Sequence, residues 1–326
     1  MDIKSAFKIV SFSFLTAFIS APLLATQPLK TVALTQIADH PAADAVREGI
    51  LEALKDNGYE KGKTMNLIFE NAQGSPVTAT QIAKKFVALK SDVIIPITTP
   101  STQAVVKANE NYSLPIVFAA VTDPVLSGVV PSLTHPGGHV TGVTDAAPIK
   151  RQLDTFKQIL PHLKTLGILY NPGDNSSTTP LKEAREISKA IELTLLEATA
   201  FKTSDVPAAM QQLAGKKVDA IFVPLDNTVL SAMDAVLKIA FQYHIPVFTS
   251  DSDSVIQGAL ASTGYSHFDT GYKAGEIAVK VLNGANPGDI PVANAQDLNI
   301  YVNLKSAEKL NITIPKAILK VAKEMK

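Results

Sequence analysis

The chain has 326 residues, 46% of them hydrophobic and 18% charged, with 30 basic and 30 acidic side chains. That length suits about two domains, and a net charge of zero removes the basic footprint that nucleic-acid binding needs. No residue is cysteine, which excludes disulfides, thiolate metal sites, a cysteine nucleophile and a lipidated N-terminal cysteine. Only Arg47, Arg151 and Arg185 are arginine. Bidentate clamping of a densely anionic ligand is therefore a poor expectation.

Residues 1–25 carry Lys4 and Lys8, then the apolar run IVSFSFLTAFISAPLLA, then polar Thr26 and Gln27. A basic start, an apolar middle and a small-residue end describe a secretory signal peptide, with cleavage after Ala25 or, as second choice, Ala21. An uncleaved anchor is the alternative, but the run is short of the roughly 20 apolar residues that spanning needs. Export without a lipid anchor predicts a periplasmic protein.

The rest alternates short β-branched runs with helical patterns. Thr31–Thr35, Met65–Phe69, Asp92–Ile97 and Pro115–Ala120 read as buried strands, with helices over Ala42–Asn57, Thr78–Leu89 and Gln103–Asn109 between them. Thr165–Tyr170, Leu193–Ala198, Val218–Val223 and Ile245–Thr249 form a second series. Its helices are Thr179–Ile191, Pro207–Ala214 and Val229–Tyr243. Such alternation predicts an α/β fold with parallel sheets covered by helices on both faces.

The two series read as copies. Asp92–Ile97 corresponds to Asp219–Pro224, and Leu114–Phe118 to Ile245–Phe248. Asp123, Val125 and Gly128 then match Asp253, Val255 and Gly258. Two similar lobes follow, and their strand-end loops, where open α/β sheets bind ligands, face one cleft. The loop Thr98-Thr99-Pro100-Ser101-Thr102 joins hydroxyls to a helix start, a combination suited to a carboxylate, although Thr99 or Ser101 as a plain cap reads equally well. Asp226 and Asn227 occupy the equivalent place in the second copy, where an aspartate either pairs with a ligand ammonium or caps the next helix. Asp123, Asp251 and Asp253 lie in matched loops. His40-Pro41 and Asn171-Pro172-Gly173 follow the first strand of each copy and are ordinary turn chemistry as well as candidate contacts. Asn175 and Ser176 stand where a helix begins, as caps or contacts.

Catalytic constellations are missing from the sequence. The six histidines do not cluster at metal-ligand spacing, and no HExxH, GxSxG or GxxxxGK[ST] occurs. Asp123 and Asp226 come from different copies, which keeps paired-carboxylate glycosidase chemistry as a remote option. The reading is a binding protein, not an enzyme, with no cofactor and no metal.

The segments NAQGSPVTATQIAKKFVALKSDVIIPITTPSTQA, PIVFAAVTDPVLSGVV, GGHVTGVTD, GILYNPGDNSS, VDAIFVPLDNTV and IPVFTSDSDSVIQGALASTG occur in that order. Together they resemble the ABC transporter substrate-binding proteins of the family with tryptophan- and tyrosine-binding members. The likeness covers about residues 30–320. It implies a periplasmic binding protein type I fold: two Rossmann-like lobes joined by three hinge crossings, near Thr141–Ala147, Ser262–Tyr265 and Asn299–Tyr301. Lobe one would be residues 29–146 plus 264–299, and lobe two residues 147–263 plus 300–326. The resemblance further implies capture of an amino acid, aromatic or apolar, and its delivery by a monomer to ABC permease subunits at the inner membrane. Thr98, Thr99, Ser101 and Thr102 would hold the carboxylate, and Asp226, Asn227 and Asp251 the ammonium. Tyr265, Phe118 and Tyr170 are candidate aromatic walls. His267 stands where the family often has an aromatic residue, and Ser101 and Thr102 where alanines are common. A ligand sensor for a membrane receptor, or a binder of a nucleoside or sugar, are the alternatives; an export signal in place of a DNA-binding headpiece argues against a repressor.

Overall fold

The computed structural model describes residues 29–294 and 297–325. The export segment expected over residues 1–25 lies outside the described residues. Among them, no helix is long and apolar enough to cross a membrane.

The first series folds as β1 (Lys30–Gln36), α1 (Pro41–Asp56), β2 (Met65–Asn71), α2 (Pro76–Ala88), β3 (Val93–Ile97), α3 (Thr99–Asn109), β4 (Ile116–Ala119) and β5 (Val140–Thr144). Its strands pair in parallel in the order β2-β1-β3-β4-β5. The second series begins with α4 (Ile149–Ile159), β6 (Thr165–Tyr170), α5 (Asn175–Ala190), β7 (Thr194–Thr199), α6 (Val206–Gly215) and β8 (Ala220–Val223). It continues through α7 (Asn227–Leu230), α8 (Met233–Gln242), β9 (Val247–Thr249), α9 (Asp253–Gln257) and β10 (Ala261–Gly264). Its parallel order is β7-β6-β8-β9-β10, the same winding as the first.

The chain then exchanges elements between the lobes. Helix α10 (His267–Leu282) packs on α1, and β11 (Ala293–Asn294) extends the first sheet beside β5. Next, β12 (Asn299–Val302) runs antiparallel to β10, and β13 (Lys323–Glu324) pairs with β12. The passages from sheet to sheet follow β5, follow β10, and run between β11 and β12.

Burial explains the winding. Strands β3, β4, β8, β9 and β10 are buried throughout, as central parallel strands covered on both faces must be. The edge strands β2 and β7 are half-exposed. Each sheet carries a core on both faces. In the first lobe Val32, Leu34, Val46 and Ile50 pack on one side, and Ile82, Phe86, Ile94 and Ile116 on the other. In the second, Met210, Ile221 and Val236 oppose Phe156, Phe222 and Phe248.

Three helices depart from expectation by several residues. Helix α5 starts at Asn175, not Thr179, where Asp174 caps it by accepting from the Ser176 N–H. Helix α3 starts at Thr99, not Gln103, because Pro100 fits the first turn, where its missing N–H costs nothing. The helix expected over Val229–Tyr243 is interrupted between α7 and α8, where Ala232 leaves helical geometry at φ −120° and ψ 22°.

The α1–α10 crossing sets the site. A Cβ on Gly271 would lie 1.9 Å from the Val46 carbonyl oxygen, and one on Gly275 2.6 Å from the Ala53 Cβ. The backbones therefore touch. Because Val46 meets Gly271 and Ala53 meets Gly275, the helices run parallel. Their N-termini, His40 capping α1 and His267 opening α10, arrive together at the cleft.

Candidate functional site

A small pocket lies between the lobes at the carboxyl ends of the strands. The first lobe contributes His40, Thr98, Ala120 and Thr122, with Asp145 just past β5 and His267 at the start of α10. Ser176, Leu225, Asn227 and Leu230 come from the second. Ala42, Ala43 and Val46 on α1 complete an apolar wall of small side chains.

Its polar groups lack partners. The hydroxyls of Thr98, Thr122 and Ser176 and one carboxylate oxygen of Asp145 are buried without a hydrogen bond. Buried polar atoms are almost always paired, so four orphans from both lobes around one pocket mark the place of something that bonds them. Burial pushes the Asp145 carboxyl above its ordinary range. Thr98 holds φ +69°, and its side chain makes no cap for α3. Strain of this kind concentrates where a side chain or backbone must face a ligand.

Two histidines flank these groups in opposite states. His40 Nδ1 accepts from the Ala43 N–H at 3.2 Å, so the ring proton sits on Nε2 and is donated across the lobes to Asn227 Oδ1 at 3.1 Å. Asn227 is oriented by Asp174, which accepts from its Nδ2 at 2.7 Å. Burial lowers the His40 imidazole. For His267 burial acts in the same direction, but the Asp253 hydrogen bond at 2.8 Å and the charges of Asp253, Asp251 and Asp145 outweigh it and push the ring up to about 9. Asp251, Asp253 and His267 each offer one atom within 4.8 Å of the others, the one grouping of metal-ligand type among the described residues. Their bonds are already matched: Asp251 accepts from the N–H groups of Asp253 and Ser254 and from the Ser254 hydroxyl, and Asp253 holds the imidazole.

The structure brings together some of the residues singled out by sequence and not others. His40, Thr98 and Asn227 line the pocket. Thr102 donates to the Thr98 carbonyl at 2.9 Å, and the Thr99 hydroxyl accepts from the Thr122 N–H at 3.4 Å. The Ser101 hydroxyl is buried and unpartnered, but Ser101 is not on the pocket wall. Asp226 is an internal clamp. One oxygen accepts from the Thr228 and Val229 N–H groups, the other from the Asn171 N–H and the Ser177 hydroxyl. Burial and the neighbouring Asp174 push it up to about 7. Asp251 caps α9 from inside, and Asp123 caps its own turn through the Val125 and Leu126 N–H groups. Asn171 lines an adjoining cleft that also runs between the lobes. Tyr265 is half-buried in the passage after β10 and off the pocket wall. Phe118 and Tyr170 are core side chains.

Asp145 and Thr122 were not singled out by sequence, nor was His267 as a contact. Their signal is positional, since each follows or opens an element at the cleft end of the first sheet.

Two lobes with the same strand winding and a pocket between their strand ends are the architecture of a solute-binding protein. The chain belongs to the family described as ABC transporter substrate binding protein, which matches residues 31–326. It is 37% identical over 283 residues to a tyrosine-binding protein of Clostridioides difficile, covering 87% of this chain and 81% of that one. An ABC domain from Streptococcus pneumonia, solved in complex with L-Trp, superposes with TM-score 0.87 at 32% identity, covering 92% of this chain and all of that one. A ligand-free, open substrate binding protein with adhesive properties from Clostridium difficile gives 0.68 at 36% identity, covering 91% and 99%. The higher score goes to the ligand-bound form despite its lower identity. This agrees with the cross-lobe bond of His40 to Asn227, and the lobes described here are in a closed arrangement. The family and these relatives are solute-binding proteins, not enzymes.

Proposed function

We propose that the protein captures an α-amino acid with an aromatic or otherwise apolar side chain in the periplasm and delivers it to the permease of an ABC importer. The observation that carries this reading is the unpartnered Asp145 carboxylate sharing a pocket with three unpartnered hydroxyls. A zwitterion answers both. Its ammonium meets Asp145, and its carboxylate meets the hydroxyls of Thr98, Thr122 and Ser176. The wall of Ala42, Ala43, Val46 and Leu230 takes the apolar body, in keeping with pockets that fix orientation with few polar groups. The names of the relatives support the same class, one binding tyrosine and one holding L-Trp. Residues 1–25 provide for export, and the binding protein acts as a monomer.

The test is a thermal-shift panel on protein unfolded and refolded to strip carried ligand, with the twenty amino acids, several sugars and a few nucleosides. Ligand at about 100 times its dissociation constant stabilises by about 2.7 kcal/mol. A shift with tyrosine, tryptophan or branched amino acids is expected. A response to a sugar or nucleoside alone would overturn the ligand class.

A further inference from the structure

His267 is the one pocket residue whose ring is held from behind by two carboxylates. Its Nδ1 is bonded to Asp253 at 2.8 Å and lies 3.5 Å from Asp251. The ring is 5% exposed and lines the pocket, and its Nε2 has no hydrogen-bond partner among the described residues. The charged and titratable groups that face it come from four places: Asp251 after β9, Asp253 on α9, Asp145 after β5, and His40 at the head of α1. All three carboxylates favour the imidazolium.

We propose that His267 is a specificity-determining residue, whose Nε2–H donates to the ligand carboxylate and so selects amino acids over the corresponding amines. This rests on the amino-acid reading above. The chemistry follows from the ring's two nitrogens. With Nδ1–H committed to Asp253, the imidazolium still has a donor at Nε2, whereas the neutral ring presents a lone pair there, which a carboxylate repels. Asp145 on the same wall offers its unpartnered oxygen to the ammonium. The two side chains together form a slot of fixed polarity for a zwitterion, and neither end suits a neutral sugar.

The sign of the pH dependence is fixed by this arrangement. The ring is raised to about 9, so the donor is present below that pH and is lost as pH rises through it. The ligand's own ammonium titrates in a nearby range, and a variant without the imidazole supplies that baseline.

The experiment is calorimetric titration of the mature protein with L-tryptophan and L-tyrosine, each beside its amine, tryptamine or tyramine, from about pH 7 to about pH 10. Wild type and His267→Phe are compared. The expected result is a loss of about tenfold to a hundredfold for the amino acids in the variant, as for a charge-assisted hydrogen bond. The variant should also lose most of the preference for amino acid over amine, and the ratio of wild-type to variant affinity should decline as pH passes 9. Affinity within threefold of wild type, with the preference kept, would overturn the proposal. Should the variant not fold, imidazole ¹⁵N spectra of wild type decide. Saturation with L-tryptophan or L-tyrosine must move the His267 Nε2 resonance and carry the imidazolium to higher pH, and an unmoved resonance overturns the assignment. Wild type that binds neither amino acid at any pH removes the functional reading itself, and this inference with it.

Discussion

Asp145 and Asp226 are both buried aspartates beside a ligand cleft, yet their bonding separates them. Asp226 has four protein donors on its two oxygens, whereas Asp145 keeps one oxygen without any. Replacing them should therefore act on different quantities. Asp145→Asn removes a buried carboxyl whose ionised form burial disfavours and the His267 imidazolium offsets, so the ligand-free protein should melt at about the same temperature. Its affinity for the amino acid should fall by about 2–4 kcal/mol, because the ligand ammonium is left unpaired. Asp226→Ala orphans two N–H groups at the head of α7, the Asn171 N–H and the Ser177 hydroxyl. Stability should fall by about 2–3 kcal/mol, read as a lower urea midpoint. Binding by the folded fraction should change little. Calorimetry and denaturation on the two variants check both halves, and a reversed pattern would exchange the roles. Sequence could not make this distinction, since an aspartate one residue before a helix is the signature of a cap and of an ammonium site alike.

The repeat was the most legible feature of the chain, and it holds down to single bonds. Asp92 accepts from the Thr31 N–H at 2.8 Å, and its counterpart Asp219 accepts from the Thr165 N–H at 2.7 Å. In each lobe the residue leading into the third strand clamps the start of the first. The eight strands read from β-branched runs came through equally well, because runs such as Val93–Ile97 are buried whole, whereas β5, β10, β11, β12 and β13 lie in segments not read as strands. What stayed hidden depends on distances between elements far apart in sequence. The α1–α10 contact is the example: Gly271 and Gly275 read as weak points of a helix, but they are where two backbones meet. Gly271→Ala gains helix propensity of about 1 kcal/mol but drives a methyl into the Val46 carbonyl, which no rotamer relieves. A net loss of about 1–3 kcal/mol is expected, with weaker ligand binding as His40 and His267 lose their common register. Gly215→Ala on α6, where a Cβ meets nothing within 4 Å, is the control and should be neutral or slightly stabilising. Equal urea midpoints for the two variants would show that the crossing tolerates a methyl.

Closure brings the two lobes under one free-energy balance. A ligand shifts it only by binding the closed form more tightly, and protein–protein bonds made on closing add to the apparent affinity. The bond from His40 Nε2–H to Asn227 Oδ1 is such a bond, because its partners sit 187 residues apart and in different lobes. His40→Asn separates closure from folding. Asparagine is a good N-cap, so α1 keeps its first-turn bond, but the shorter side chain cannot span to Asn227. Losing one buried bond of about 1 kcal/mol should weaken amino-acid binding about fivefold. The melting temperature of the ligand-free protein should stay within about 1 °C, since an open protein does not make that bond. Small-angle scattering completes the argument. Wild type should contract when the amino acid is added, and the variant should need more ligand to reach the same radius. A ligand-free melting temperature that falls in step with affinity would instead place His40 in the folding of the first lobe, with closure resting on the ligand alone.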